Sequence, residues 1–103
     1  MSKLRGGIEH TVVSQNSAII TSRCIYYGCV VNNATTAGVQ ALIYDAKATA
    51  QGNLTDVVTT IAGTNSNNGS WFNCGIYMHS GIYVSAPVCT TASDSIIVYY
   101  GGV

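Results

Sequence analysis

Apolar residues along this chain come in short runs. Val, Ile, Thr and Tyr cluster in brief stretches separated by Gly, Asn and Ser, and no segment of helical length repeats apolar residues at i, i+3, i+4 and i+7. The pattern predicts strands near residues 10–14, 17–21, 24–32, 38–45, 55–62, 71–78, 82–86 and 95–100. Strands this short and this regularly interrupted predict an all-β chain, a single small β-sandwich or jelly-roll of about seven or eight antiparallel strands. The polar stretch 64–70, with its Asn68-Gly69 pair, reads as an exposed hairpin loop. His79-Ser80-Gly81 lies between the similar runs GIYM and GIYV and reads as a tight reversal between two sides of a hairpin, with Gly81 taking the unusual backbone angle. Pro87 belongs at a strand end or edge, and Ala46-Lys47-Ala48 reads equally as a helical turn or a loop.

Alternation is clearest in the second half. Phe72, Cys74, Ile76 and Met78 fall on one face, read as the core, and Trp71, Asn73, Gly75 and Tyr77 on the other. Ile82, Val84 and Ala86 continue the core from the next strand, and Ile96, Val98 and Tyr100, or their alternates, from the last. Trp71, Tyr77, Tyr83 and Tyr99 are left for the outside. Such side chains bury a large apolar area while keeping a polar tip, so these four, with Tyr26, are candidate protein-interface residues. The plainer alternative is that they pair across strands and close the rim of the sandwich. The strand containing Tyr26 is apolar on both sides, with Ile25, Tyr27, Cys29 and Val31 alternating against Tyr26, Gly28 and Val30. It is either central or covered by a neighbouring chain, and a bulge at Gly28 would switch the facing of the residues beyond it.

Charge changes the picture of the surface. Four basic residues cancel four acidic ones, and together they make up 8% of the chain, against about 25% in an ordinary soluble domain. A surface that is polar without being charged offers little repulsion between copies and favours self-association. The 103 residues suit one domain, a sandwich over 10–100 between an N-terminal arm, 1–9, and a tail, 101–103. Lys3, Arg5, Arg23 and Lys47 form no run or stripe, so nucleic acid is not an expected partner. The opening MSKLRGGIEH has no apolar stretch behind its two positive charges, and neither a signal peptide nor a membrane anchor is expected. Asn-x-Ser/Thr triplets at Asn33, Asn53 and Asn68 carry no weight in a chain so rich in those residues.

Little in the sequence points to catalysis. Cys24, Cys29, Cys74 and Cys89 form no Cys-x-x-Cys pair, and the five-residue offset places Cys24 and Cys29 on opposite strand faces, so neither zinc nor another cofactor is expected. Buried thiols are the default reading, with a Cys74–Cys89 bridge geometrically open. His79 follows Cys74 closely but sits at a turn while Cys74 points into the core, a poor arrangement for a nucleophile and its base. Asp45, Asp56 and Asp94 fall at strand ends or turns, where carboxylates cap nearby N–H groups. The glycines at 6–7 and 101–102 match no phosphate-binding loop. No catalytic residue is nominated.

Gly28-Cys29-Val30-Val31-Asn32-Asn33 before a small-residue loop, Leu42-Ile43-Tyr44-Asp45 ending a strand, Gly81-Ile82-Tyr83-Val84 and the closing Val98-Tyr99-Tyr100 give the chain a motif order that resembles the small β-sandwich decoration, or cement, proteins of tailed-bacteriophage heads. The resemblance implies a structural virion protein, made in the host cytoplasm, that sits on the capsid surface, often as a homotrimer, and bridges neighbouring subunits of the major capsid protein. It carries no catalytic residues across. The alternative from another class is a carbohydrate-binding tail-fibre or lectin-like sandwich, with Trp71 and the tyrosines as a stacking platform. A small hydrolase using Cys74 or a serine ranks last, and Trp71 stands at the wrong distance from a first cysteine for an immunoglobulin domain.

Overall fold

The computed structural model describes residues 7–33, 39–49, 52–61, 66–85 and 95–103, with Asn33 described by its backbone alone. Its elements are all strands: β1 (Glu9–Val13), β2 (Ser17–Ile20), β3 (Cys24–Asn33), β4 (Gln40–Asp45), β5 (Asn53–Thr59), β6 (Ser66–Gly69), β7 (Ile76–Met78), β8 (Ile82–Ser85) and β9 (Ser95–Gly101). They form two antiparallel sheets, β1-β9-β3-β6 with β7 also on β3, and β2-β8-β4-β5. The pairs nest: β1 with β9, β2 with β8, β3 with β6 and β7, and β4 with β5. That is one long folded hairpin, rolled so that β9 also meets β3 and β8 also meets β4. With β6 and β7 serving as two halves of one interrupted strand, this is the connectivity of an eight-stranded jelly-roll.

The core lies between the sheets. Cys24, Tyr26, Cys29, Val31, Met78, Ile96 and Val98 from the first sheet meet Ala41, Ile43, Ile82 and Val84 from the second, all fully buried, with Val39 beside them. Removing each large aliphatic from water contributes about 1.5–3 kcal/mol.

A bulge at Gly28 explains why β3 reads as apolar on both sides. Tyr26 pairs with Tyr100, but Gly28, not Tyr27, pairs with Tyr99. The extra residue reverses the alternation, so Cys24 and Tyr26 point inward before it and Cys29 and Val31 after it. Gly28 has φ 137°, and a Cβ there would come within 2.2 Å of the Ser70 carbonyl oxygen, so only glycine fits. Cys24 and Cys29 therefore share the inner face, contrary to the simple period-two expectation.

Several other expectations are corrected. Residues 66–69 are not a loop but a strand, pairing Ser66 to Gly69 with Asn33 to Val30 of β3. Asn68 sits in that strand, its Nδ2–H donating to the Thr59 carbonyl and its Oδ1 accepting from Gly69 N–H, instead of forming a turn. Of the strand expected over 71–78, only 76–78 is extended, and Cys74 lies exposed in the intervening turn instead of in the core. The reversal at 79–81 does not close a hairpin. It carries the chain from β7 in one sheet to β8 in the other, with Gly81 at φ 148°. The Asp45 carboxylate, at the end of β4, accepts from the N–H groups of His79 (2.9 Å), Ser80 (2.7 Å) and Gly81 (3.4 Å) and fixes that crossing. Asp56 belongs to the middle of β5, not to a strand end. Ala46 is buried, and the residues after it bend without forming a helix. The expectations for residues 1–6, Ala86, Pro87, Cys89 and Asp94 fall outside the described residues.

Candidate functional site

The outward face of the first sheet follows from its register. His10 stands opposite Tyr99, and Val12 opposite Ile97. Across β9, Tyr99 meets Gly28, Ile97 meets Val30 and Ser95 meets Asn32. Farther out, Val30 meets Gly69, Asn32 meets Asn67, and Ile25 meets Tyr77. The face thus grades from an aromatic end (Tyr77, Tyr27, Trp71, Tyr99, His10) through an aliphatic row (Val12, Ile97, Val30) to a polar end (Ser95, Asn32, Asn67).

Trp71 is the centre of the aromatic end. It stacks on Tyr27 (centroids 5.8 Å, planes 23° apart) and meets Tyr99 edge-on at 6.1 Å, while Tyr99 contacts His10 at 6.1 Å. Its Nε1–H donates to Asn73 Oδ1 at 3.0 Å. The bulge positions this group: with no side chain at Gly28, the segment after β6 lies close against β3, where Ser70 N–H donates to the Cys29 carbonyl and Phe72 N–H to the Tyr27 carbonyl. Trp71 is nevertheless 53% exposed and Tyr77 40% exposed.

The second sheet carries a different outward face. Its register gives one row of Ala18, Tyr83, Tyr44 and Leu54, and another of Ser85, Leu42 and Val57. Leu54 and Val57 are each about half exposed. Among the described residues neither face holds a formal charge: Arg23 and Lys47 lie in connections, Glu9 at the start of β1, and Asp45 and Asp56 are held by hydrogen bonds within the fold.

The five aromatic residues singled out by sequence therefore divide three ways. Trp71, Tyr77 and Tyr99 share the first outward face, and Tyr83 belongs to the opposite one. Tyr26 is not an interface residue: it is fully buried, because it precedes the bulge on the inner face of β3. Sequence reading missed Tyr27, which supports Trp71. A bulge assigned to Gly28 before the faces were counted would have kept Tyr27 with Ile25 and placed Val30 outward.

Tyr26 instead belongs to a polar tie between the sheets. Its hydroxyl donates to Asp56 Oδ2 at 2.7 Å, and Ser70 Oγ–H donates to the same oxygen. Burial, then the neighbouring Cys29 and Asp56, push the Tyr26 hydroxyl far above its ordinary pKa. The Cys29 thiol is pushed up to about 11, mainly by burial, and Cys24 to about 11 by burial and the Asp45 carboxylate. Thiols held protonated in this way are the opposite of activated nucleophiles. His79 packs edge-on against Tyr77 at 4.5 Å. Among the described residues no three His, Cys, Asp or Glu side chains gather as metal ligands. No protein-family model, curated protein or solved structure matches this chain.

Proposed function

We propose that the chain is a structural virion protein that decorates an assembled capsid and stabilises it by bridging neighbouring subunits of the major capsid protein. The observation that carries this reading is the pair of opposite, uncharged outward faces, each with half-exposed apolar side chains. A bridge needs two adhesive surfaces directed away from each other.

The size of the faces fits lattice binding better than tight binding to a free subunit. Four strands at about 4.8 Å by seven residues at about 3.3 Å give a footprint of about 450 Å² per face. Stable one-to-one interfaces bury about 800 Å² on each partner, so one face alone holds weakly. Two weak contacts made together gain through effective concentration, and only an assembled shell presents both at once. A trimer, as the resemblance implies, closes through patches about 60° apart as seen from one subunit, which two opposite faces are not. We therefore assign the faces to capsid contacts and any trimer contact to another surface.

The test is light scattering after size exclusion to fix the oligomeric state, then co-sedimentation with shells and with unassembled capsid subunits from the virus that encodes the chain. Wild type should sediment with shells and not with free subunits. Val12→Glu on one face and Val57→Glu on the other, both at half-exposed sites where folding is preserved, should each weaken shell binding about tenfold or more. Equal binding to free subunits, or no effect of either charge, overturns the proposal.

A further inference from the structure

We infer that the outer edge of β1 is a self-association surface, on which a second copy of this chain pairs its own β1 antiparallel about a two-fold axis at Thr11. This does not rest on the bridging reading: the contact uses a strand edge and leaves both broad faces uncovered.

The two narrow sides of the sandwich are finished differently. On one side β5 and β6 are stitched together, with the Asn68 amide donating to the Thr59 carbonyl and Ser70, just after β6, donating its hydroxyl to Asp56 of β5. β5 also carries an extra residue, Thr55, where its register with β4 shifts. On the other side lie β1 and β2, each the last strand of its sheet, joined by residues 14–16. Among the described residues no strand pairs with the outer edge of either. β2 is blunted by an irregularity between Ala18 and Ile20. β1 is not: Glu9 to Val13 pair with β9 in unbroken register, and the strand holds no proline, lysine or glycine. Proteins guard exposed edges with such devices, because the outward N–H and C=O groups of a regular strand template another strand. The core is also incompletely closed on this side, where Val13 of β1 and Ile19 and Ile20 of β2 pack against it while only partly buried.

The sequence of β1 selects a copy of itself. Pairing about Thr11 is the two-fold register that uses all five strand residues, whereas an axis at His10 or Val12 leaves three. It sets Thr11 against Thr11, a favourable cross-strand pair, and the 56% exposed Val12 of each copy against His10 of the other, which already contacts Tyr99. Glu9, the strand's one formal charge, then faces Val13 of the other copy, and the two carboxylates stand about 14 Å apart along the strands, beyond the screening length of about 8 Å. A net charge of zero adds no long-range repulsion. So short a contact is small, and the association it supports is of roughly micromolar strength.

Sedimentation equilibrium of the full chain from about 1 to 100 µM should show a monomer–dimer equilibrium. Hydrogen exchange followed by NMR at the upper concentration identifies the surface. In a monomer only the alternate β1 amides that bond to β9 exchange slowly; in the dimer all five, Glu9 to Val13, are slowed. Thr11→Lys, which sets two ammonium groups against each other at the axis, should weaken dimerisation about tenfold or more. Thr11→Val loses the same hydrogen bond to the Tyr100 hydroxyl without adding charge and should dimerise as wild type does. Circular dichroism checks that both variants are folded. Mixed His10→Cys and Val12→Cys chains under mild oxidation should give a 10-to-12 link, found by peptide mass analysis, in preference to 10-to-10 and 12-to-12 links. A chain that stays monomeric, a trimer, a dimer with only alternate β1 amides slowed, full dimerisation by a folded Thr11→Lys chain, or no preference for the 10-to-12 link overturns the inference. Shell co-sedimentation is read separately, so a monomer that still binds shells defeats this inference and leaves the bridging reading standing.

Discussion

Gly28→Ala is the substitution by which the fold and the aromatic face can be tested together. At φ 137° an L-residue is strained by roughly 1–3 kcal/mol. The new Cβ would also stand 2.2 Å from the Ser70 carbonyl oxygen and 3.1 Å from the Trp71 Cα, both backbone atoms that cannot swing aside. Relief requires the segment after β6 to move off β3, which breaks the Ser70 N–H bond to the Cys29 carbonyl and the longer contact from Cys29 N–H to Ser70 Oγ. Each lost bond costs about 1 kcal/mol, and the alanine recovers about 0.5–1 kcal/mol by narrowing the unfolded ensemble. The net loss is about 3 kcal/mol, equivalent to a melting point lower by about 12 °C or more for a domain of this size. Urea unfolding followed by tryptophan emission measures it, and the native emission should itself shift to the red because Trp71 rides on the displaced segment. Gly7→Ala is the control, since nothing lies within 4 Å of a Cβ there, and it should stay within about 0.5 kcal/mol of wild type. An unchanged midpoint for Gly28→Ala, or equal losses for the two variants, would refute the argument that the bulge holds Trp71 in place.

Asp45→Ala removes the acceptor for three backbone N–H groups at the crossing between sheets and should lower stability by about 1–2 kcal/mol in urea titration, with Asp45→Asn losing less. An Asp45→Ala midpoint equal to wild type would show that water replaces the carboxylate without cost. Iodoacetamide followed by peptide mass analysis should modify Cys74 rapidly in the native protein at pH 8 and leave Cys24 and Cys29 untouched until unfolding. The same two thiols set a pH dependence. Unfolded, they release protons near pH 9; folded, near 11, so the native state holds more protons in between. Stability should be level below about pH 8 and fall between pH 9 and 11, by on the order of 2 kcal/mol for each thiol, with a shallower fall in Cys29→Ala. A level or rising curve across that range contradicts their burial.

Where one strand face is buried and the other open, period-two alternation was enough to read the structure. β8 and β9 follow it residue by residue, with Ile82, Val84, Ile96 and Val98 inward and Tyr83 and Tyr99 outward. It failed where the backbone departs from regular extension. The bulge in β3 reversed the inner set and drew Tyr26 into the core, a shift that no alternation template carries unless the glycine is given its own register step. β6 was missed because Ser66-Asn67-Asn68-Gly69 has the composition of a turn. Its pairing comes from the unpaired edge of β3, a tertiary demand that overrides local preference. The near-repeat around the two Gly-Ile-Tyr runs suggested a hairpin, yet the strands sit in different sheets because Asp45, far away in sequence, holds the turn between them. The scarcity of charge was plain from composition, but its meaning needed the register, which shows where the charges among the described residues lie.

Those charges are placed in a way that bears on function. Asp56 accepts from two hydroxyls between the sheets, and Asp45 from three backbone N–H groups, so both carboxylates hold the fold instead of solvating its surface. Arg23 and Lys47 stand in connections between strands. Among the described residues both broad faces are thus left without any charge to oppose close approach, while Val12, Leu54, Val57 and Trp71 are about half exposed on them. Charge on a face resists a partner through desolvation as well as repulsion, and its removal lowers the barrier to being covered without making either contact strong. A footprint of about 450 Å² stays below what holds two free proteins together, so under the proposed bridging function the same surface would adhere when two neighbours are fixed in place and release when only one is offered. On the bridging function proposed above, selectivity for an assembled lattice would come from the limited size of each face, and a variant with one enlarged apolar face would trade that selectivity for indiscriminate binding.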